Sequence, residues 1–276
     1  MLAGERVAPA LQPVAAVVLV AVVTHVDPFL DEHRRWRRTV GVRVRFPCRR
    51  LWHLHQARNH LAYAPPPKIV GIGGDDAGGL GVRVLPVTKT FGIEACWAAY
   101  RAGCPSVGEN YAQEVVSKLG GVERPFGVHF IGQLQTNKVR MLAPIVTCFE
   151  TVDRRSLVDE LAKRVPGATV LLQVATASEL GKGGCPISEV PALLEHALAA
   201  GLDVQGLMTV GPTEGGPEAA RPGFRAVRAL LDRLQLGVLS MGMTDDLEVA
   251  VQEGTTQVRV GSALFGARPP AAERVL

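Results

Sequence analysis

From Val82 onward the sequence alternates short β-branched runs with helix-like stretches, and this alternation restricts the possible folds more than any other feature. The runs predicted as strands are Val82–Val87, Ser106–Gly108, Val128–Ile131, Thr147–Glu150, Thr169–Val174, Val204–Met208, Val238–Ser240 and Gln257–Val260. The stretches between them predict helices over Ile93–Ala102, Ala112–Leu119, Asn137–Leu142, Arg154–Arg164, Glu189–Ala200, Glu218–Leu234 and Leu247–Gln252. Parallel strands need a crossover to return to the same end of a sheet. Eight strands with seven intervening helices is therefore the count of a (β/α)8 barrel short of one helix at an end. Arg49–Tyr63 places Leu51, Leu54 and Leu61 at roughly helical spacing and is the candidate for the missing helix.

The first 80 residues differ in kind, so the chain divides into an atypical segment, 1–80, and a single barrel domain, 81–276. Residues 1–80 hold 11 Lys and Arg against 6 Asp and Glu, whereas 81–276 hold 19 against 20. The near-neutral body gives no electrostatic reason to expect nucleic acid or a membrane surface as partner. Val14–Val23 is an apolar run about half the length of a membrane span, with no small-residue cleavage site after it, so no targeting signal is expected. The basic cluster His33-Arg-Arg-Trp-Arg-Arg38 reads as a solvated stretch, and Pro65-Pro-Pro67 with Gly71–Gly79 reads as linker or loop. Cys48, Cys96, Cys104, Cys148 and Cys185 are widely spaced and odd in number, which predicts reduced thiols and a cytoplasmic location. Beyond residue 80 only His129 and His196 occur, neither at metal-ligand spacing from another His or Cys, so no metal site is expected.

In such a barrel the active site forms at the C-terminal ends of the strands. The residues there are Lys89, Glu109-Asn110, His129 with Gly132, Met208-Thr209, Ser240-Met-Gly-Met243 and Arg259-Val-Gly-Ser262. Lys89 closes the first apolar run, where a lysine that loses its proton can act as an amine nucleophile toward an aldehyde. In isolation it reads equally as a side chain snorkelling to the surface. Gly242 and Gly261-Ser262 fall in the loops after strands seven and eight, where barrels commonly bind phosphate. Glycine lets backbone N–H groups approach an anion, and a helical turn starting at Ala263 would add free amides. Taken singly, these are also ordinary turn glycines and a cap serine. A ligand carrying both an aldehyde and a phosphate would bridge Lys89 and these loops, and pyridoxal 5′-phosphate (PLP) is such a molecule.

Several motifs carry a resemblance. Val87-Thr-Lys89-Thr, Gly108-Glu-Asn-Tyr111, His129-Phe-Ile-Gly-Gln-Leu-Gln-Thr-Asn-Lys138, Gly206-Leu-Met-Thr209, Leu239-Ser-Met-Gly-Met-Thr-Asp-Asp-Leu247 and Val258-Arg-Val-Gly-Ser-Ala-Leu-Phe-Gly266 occur in order from about Val82 to Arg268. Together they resemble the pyridoxal phosphate homeostasis protein family, single-domain relatives of the alanine racemase N-terminal barrel. The resemblance implies a (β/α)8 TIM barrel of that type holding PLP as an internal aldimine on Lys89. It implies that Ser240, Gly242, Gly261 and Ser262 hold the phosphate, that Arg259 faces the pyridine nitrogen, and that Asn110, His129 and Met208 line the pocket. Asn110 read alone is a turn residue, His129 a satisfied core histidine and Met208 packing.

The function so implied is intracellular PLP homeostasis, with the protein as a monomeric carrier and PLP-dependent apo-enzymes as recipients. No residue is assigned a catalytic role. Arginine stays protonated and can only donate to the ring nitrogen, which makes the ring a poorer electron sink. The rival is an amino-acid racemase, whose two-base chemistry needs a second acid/base. In the racemases this is a tyrosine from a further domain, whereas Tyr63, Tyr100 and Tyr111 are the tyrosines here and all precede the last strands. A class I aldolase using Lys89 on a sugar phosphate is a third reading. Three departures from the family stand out. Pro86 removes a donor inside a strand, Ala175 follows Val174 where the family usually has Asn, and residues 1–80 match nothing in the family.

Overall fold

The computed structural model describes residues 81–176 and 183–266, together with two short strands, β1 (Val18–Ala21) and β2 (Val42–Arg45), which pair antiparallel. The helix expected at Arg49–Tyr63, the basic cluster at 33–38 and the Pro/Gly-rich stretch at 65–79 lie outside the described residues. From residue 81 the strands are β3 (Arg83–Pro86), β4 (Ser106–Glu109), β5 (Gly127–Phe130), β6 (Cys148–Val152), β7 (Thr169–Ala175), β8 (Cys185–Pro186), β9 (Asp203–Thr209), β10 (Val238–Ser240) and β11 (Gln257–Val260). The helices are α1 (Ile93–Arg101), α2 (Ala112–Leu119), α3 (Val139–Leu142), α4 (Arg155–Arg164), α5 (Val190–Ala199), α6 (Arg221–Leu234), α7 (Leu247–Gln252) and α8 (Ser262–Phe265). All eight expected strands and seven expected helices are present. β8, a two-residue extension pairing with β7, and the single turn α8 are additional.

The strands run parallel in the order β3-β11-β10-β9-β7-β6-β5-β4, and a bridge between Val87 and Gly108 joins the two ends into a barrel. That seam is short for a reason visible at Pro86. Along a parallel strand successive N–H groups point to alternate neighbours. Arg83 and Val87 donate toward β11, to Thr256 O and Val260 O, while Thr88 donates to Gly108 O on β4. Pro86 thus occupies a position whose missing donor falls on the β4 side. Its pairing with β11, opposite Val260, is intact. The cost of the proline is confined to the seam.

Two predicted helices are divided. Thr136–Lys138 forms a 3₁₀ turn leading into α3, and Pro217–Ala220 forms one leading into α6. Pro222 lacks the N–H that a continuous helix through Glu218 requires, and the tighter turn takes the chain up to it. α6 then buries Phe224, Val227, Leu230 and Leu231, the i, i+3, i+6, i+7 stripe of an amphipathic helix. These side chains join Val128, Phe130, Phe149, Val170, Leu172 and Leu239 from the outward faces of the strands in one core between sheet and helices. Fully burying a Leu or Phe contributes about 1.5–3 kcal/mol, so this layer holds the barrel in shape. The inward faces can then carry polar side chains alongside apolar ones such as Leu171 and Met208. No described helix is long and apolar enough to cross a membrane.

Candidate cofactor site

Strand register places Gly108, His129, Cys148, Leu171, Gly206, Met208, Ser240, Gln257 and Arg259 on one continuous face. Hydrogen bonds spanning strands that are not neighbours identify that face as the lumen. Glu150 on β6, with no exposed surface, is the hub. Its Oε1 lies 2.6 Å from His129 Nδ1 and accepts from Gln257 Nε2 at 2.7 Å, while Oε2 accepts from Ser240 Oγ at 2.7 Å. Burial alone would raise the Glu150 pKa. The hydrogen bond and charge of His129, the charge of Arg259 and the Ser240 hydroxyl outweigh it and hold the carboxyl below its ordinary value.

Arg259, 4% exposed, donates through Nη1 to the backbone oxygen and hydroxyl of Ser240, both at 2.8 Å, and through Nη2 to Thr209 O at 2.8 Å. Burial lowers its pKa and the charges of Glu150 and Asp246 oppose that. Guanidinium carries five N–H donors. Three of them are used in bonds to Ser240 and Thr209.

Lys89 stands above this floor on the loop after β3, half-buried. Thr88–Phe91 is a β-turn closed by Phe91 N–H donating to Thr88 O at 3.1 Å, with Thr90 at φ 68°. Positive φ at the third position alone defines a type II turn. The Phe91 ring packs on Phe265 of α8 with centroids 5.4 Å apart, which brings the Lys89 turn against the loop carrying Gly261 and Ser262. Below that contact a Cβ on Gly261 would meet Val87 O at 3.4 Å.

Asn110 follows β4, and its Oδ1 is buried without a hydrogen-bond partner. Gly132 permits that position, because a Cβ there would stand 1.9 Å from Asn110 O. Gly242 has φ 94° and would direct a Cβ to 2.5 Å from Ala250, so only glycine fits the loop after β10. Its carbonyl accepts from Arg259 N–H at 2.9 Å.

The structure thus brings together Lys89, Gly261 and Ser262 at the rim, and His129, Ser240 and Arg259 on the lumen floor. Ser240 differs from its expected company. Its hydroxyl is engaged with Glu150, Gln257 and Arg259, whereas Ser262 is exposed at the start of α8. Met208, 1% exposed, packs with Cys148 and Leu171. Ala175, in the place of a polar residue, ends β7 beside Pro186.

Glu150 and Gln257 are not assignable from the sequence because a polar residue within a strand gives no sign of which way it faces. Their period-2 spacing with Cys148 and with Arg259 is the signal available. The fold also sets Cys148 beside His129 and Glu150, with ligand-type atoms within 4.8 Å of one another, a juxtaposition that linear spacing does not reveal. The Glu150 oxygens there are already satisfied by three donors, and burial pushes the Cys148 thiol pKa far up, away from a metal-binding thiolate.

Residues 76–269 match the family model of the alanine racemase N-terminal domain. A pyridoxal phosphate homeostasis protein from Pseudomonas aeruginosa is 40% identical over 195 residues, covering 68% of this chain and 85% of that protein. The chain belongs to the pyridoxal phosphate homeostasis protein family. A second member, from Aquifex aeolicus, is 39% identical over 198 residues, 67% of this chain and 87% of its own. Among solved structures, PipY of Synechococcus elongatus PCC7942 with PLP bound superposes with a TM-score of 0.60 at 30% identity, over 67% of this chain and 92% of that one. The barrel architecture is the one the family implies. The match starts at residue 76, so most of the atypical first segment lies outside it.

Proposed function

We propose that this chain binds PLP, tethers it covalently through Lys89 and buffers its supply, with no turnover of its own. The observation that carries this is the buried Arg259 guanidinium on β11, held by Ser240 and Thr209; β11 pairs with β3, whose C-terminal loop carries Lys89. The unpartnered Asn110 Oδ1 and the glycine-only conformation at Gly242 fit a bound polar group at the rim. When bound, PLP supplies an aldehyde and an electron-withdrawing ring.

Each residue has a task in this reading. Lys89 would hold the aldehyde end of the cofactor through its side-chain amine. Gly261, Ser262 and Gly242 receive the phosphate through backbone N–H groups, the first two at the start of α8, where amides lack intrahelical partners. Arg259 would offer a donor to the ring nitrogen and, as a cation with no acceptor, would favour its unprotonated form. Glu150 and Gln257 orient Ser240 and His129, and Asn110 and Met208 would bound the pocket. A ring nitrogen that cannot be protonated withdraws electrons weakly, which suits holding over catalysis. The protein acts in the cytoplasm as a monomer and passes PLP to apo-enzymes.

Borohydride reduction of the PLP-loaded protein, followed by peptide mass mapping, tests the tether: the reduced pyridoxyl phosphate adduct is expected on Lys89. An adduct on another lysine would contradict it. Incubation with L-alanine in deuterated water tests the absence of turnover, and α-proton exchange at enzyme-like rates would assign amino-acid chemistry instead.

A further inference from the structure

Beneath the Lys89 turn lies a buried charge cluster that the cofactor reading does not use. Lys118 on α2 has a side chain only 4% exposed, and its three ammonium protons are all engaged: with Thr88 O at 2.9 Å, Glu109 at 2.7 Å and Glu114 at 2.8 Å. An ammonium group has three donors, so Lys118 is saturated. Burial works against its charge, and the two carboxylates overcome it and raise its pKa. Glu109 Oε1 also accepts from Thr88 Oγ1 at 2.6 Å, and Glu114 Oε1 accepts from the backbone N–H of Thr90 at 2.6 Å. The cluster therefore grips the chain on both sides of Lys89.

The grip falls on a strained point. Thr90 is β-branched and sits at φ 68°, a conformation where glycine is the usual residue of a type II turn. The peptide between Lys89 and Thr90 is the unit whose flip separates a type II turn from a type I turn. Its N–H is the group Glu114 accepts. A charged acceptor at that distance favours the flipped form, and Lys118 in turn fixes Glu114 one helical turn away on the same face of α2.

We propose that Glu114, held by Lys118, is a positioning residue that keeps the Lys89 turn in its type II form and so presents the Lys89 amine to the cofactor. The role rests on the PLP reading given above, but the turn itself is testable without PLP.

The experiment combines Glu114→Ala with Thr90→Gly in the full chain, read out in two ways. In ligand-free protein, NMR hydrogen exchange of the Thr90 amide is expected to accelerate at least about ten-fold in Glu114→Ala, as for loss of a hydrogen bond to a charged group, with β7 amides unchanged. With PLP, the same variant is expected to release the cofactor about ten-fold faster. Thr90→Gly alone should match wild type. Combined with Glu114→Ala it should restore retention to within about three-fold of wild type, because glycine adopts the turn without the carboxylate.

Unaltered Thr90 exchange in Glu114→Ala would overturn the proposal. Failure of Thr90→Gly to rescue would also overturn it, since a purely structural role of Glu114 is indifferent to the residue at 90. If Glu114→Ala does not fold, Glu114→Gln retains an acceptor without the charge, and faster Thr90 exchange is still expected; exchange equal to wild type would refute the role. Wild-type protein that takes up no PLP would sink the proposed function, while the exchange measurement would still decide the turn.

Discussion

Glu150 shows how a single residue governs the lumen. Its carboxylate is fully buried, accepts from His129, Ser240 and Gln257, and is held ionised below its ordinary range. Its folded-state pKa lies beneath the unfolded value, so the stability it contributes is present above roughly pH 4.3 and is lost as pH falls through the depressed folded value. Glu150→Gln is therefore expected to flatten the acid limb of thermal stability: the melting temperatures of wild type and variant should converge on acidification. Curves that stay parallel from neutral pH to pH 3 would contradict the assignment. Lys89, Asn110 and Arg259 stand out as candidates in the sequence because each sits at or just after a strand's C-terminal end, where barrels form their sites. Glu150, Glu114 and Lys118 do not. They are charges on buried faces, next to Phe149, Val115 and Leu119; the partners of Glu150 lie across the lumen, and although Glu114 and Lys118 pair one turn apart on α2, their bonds to Thr90 and Thr88 depend on the fold.

At the scale of elements, β-branched runs and apolar stripes were sufficient to place the strands and helices to within a few residues, since each strand needs an outward apolar face for its helix. α6 is the plainest instance. Phe224 has no exposed surface, and Phe224→Ala should cost about 3–5 kcal/mol through loss of transfer free energy and the cavity left behind. Denaturant unfolding measures this, and a loss below about 1 kcal/mol would mean that the layer repacks freely. The loop after β10 is constrained by backbone conformation. Gly242→Ala must place a Cβ at positive φ and against Ala250, and weaker PLP binding with the secondary structure retained is expected by titration and circular dichroism. Pro86 was read in the sequence as a threat to pairing, yet the chain tolerates it because its missing donor falls on the single-bridge seam between β3 and β4. Sequence alone could not supply this, for it depends on which neighbour an N–H faces.

For the whole molecule, the alternation of strand and helix determined the closed barrel, and barrel geometry then gathered residues from Lys89 to Ser262 at one rim. Residues 1–75 stand outside the family match, and deletion of residues 1–45 is expected to leave PLP binding within about two-fold of the full chain, a change under 0.5 kcal/mol. Equilibrium titration checks this, and loss of binding would give the first segment a part in the site. The central claim, that Lys89 tethers PLP, is tested most directly by one absorbance spectrum. Purified protein incubated with PLP and freed of excess should show the near-ultraviolet to visible band of lysine-bound cofactor, and Lys89→Ala prepared alongside should lack it. A colourless wild type, or an undiminished band in Lys89→Ala, would contradict the account.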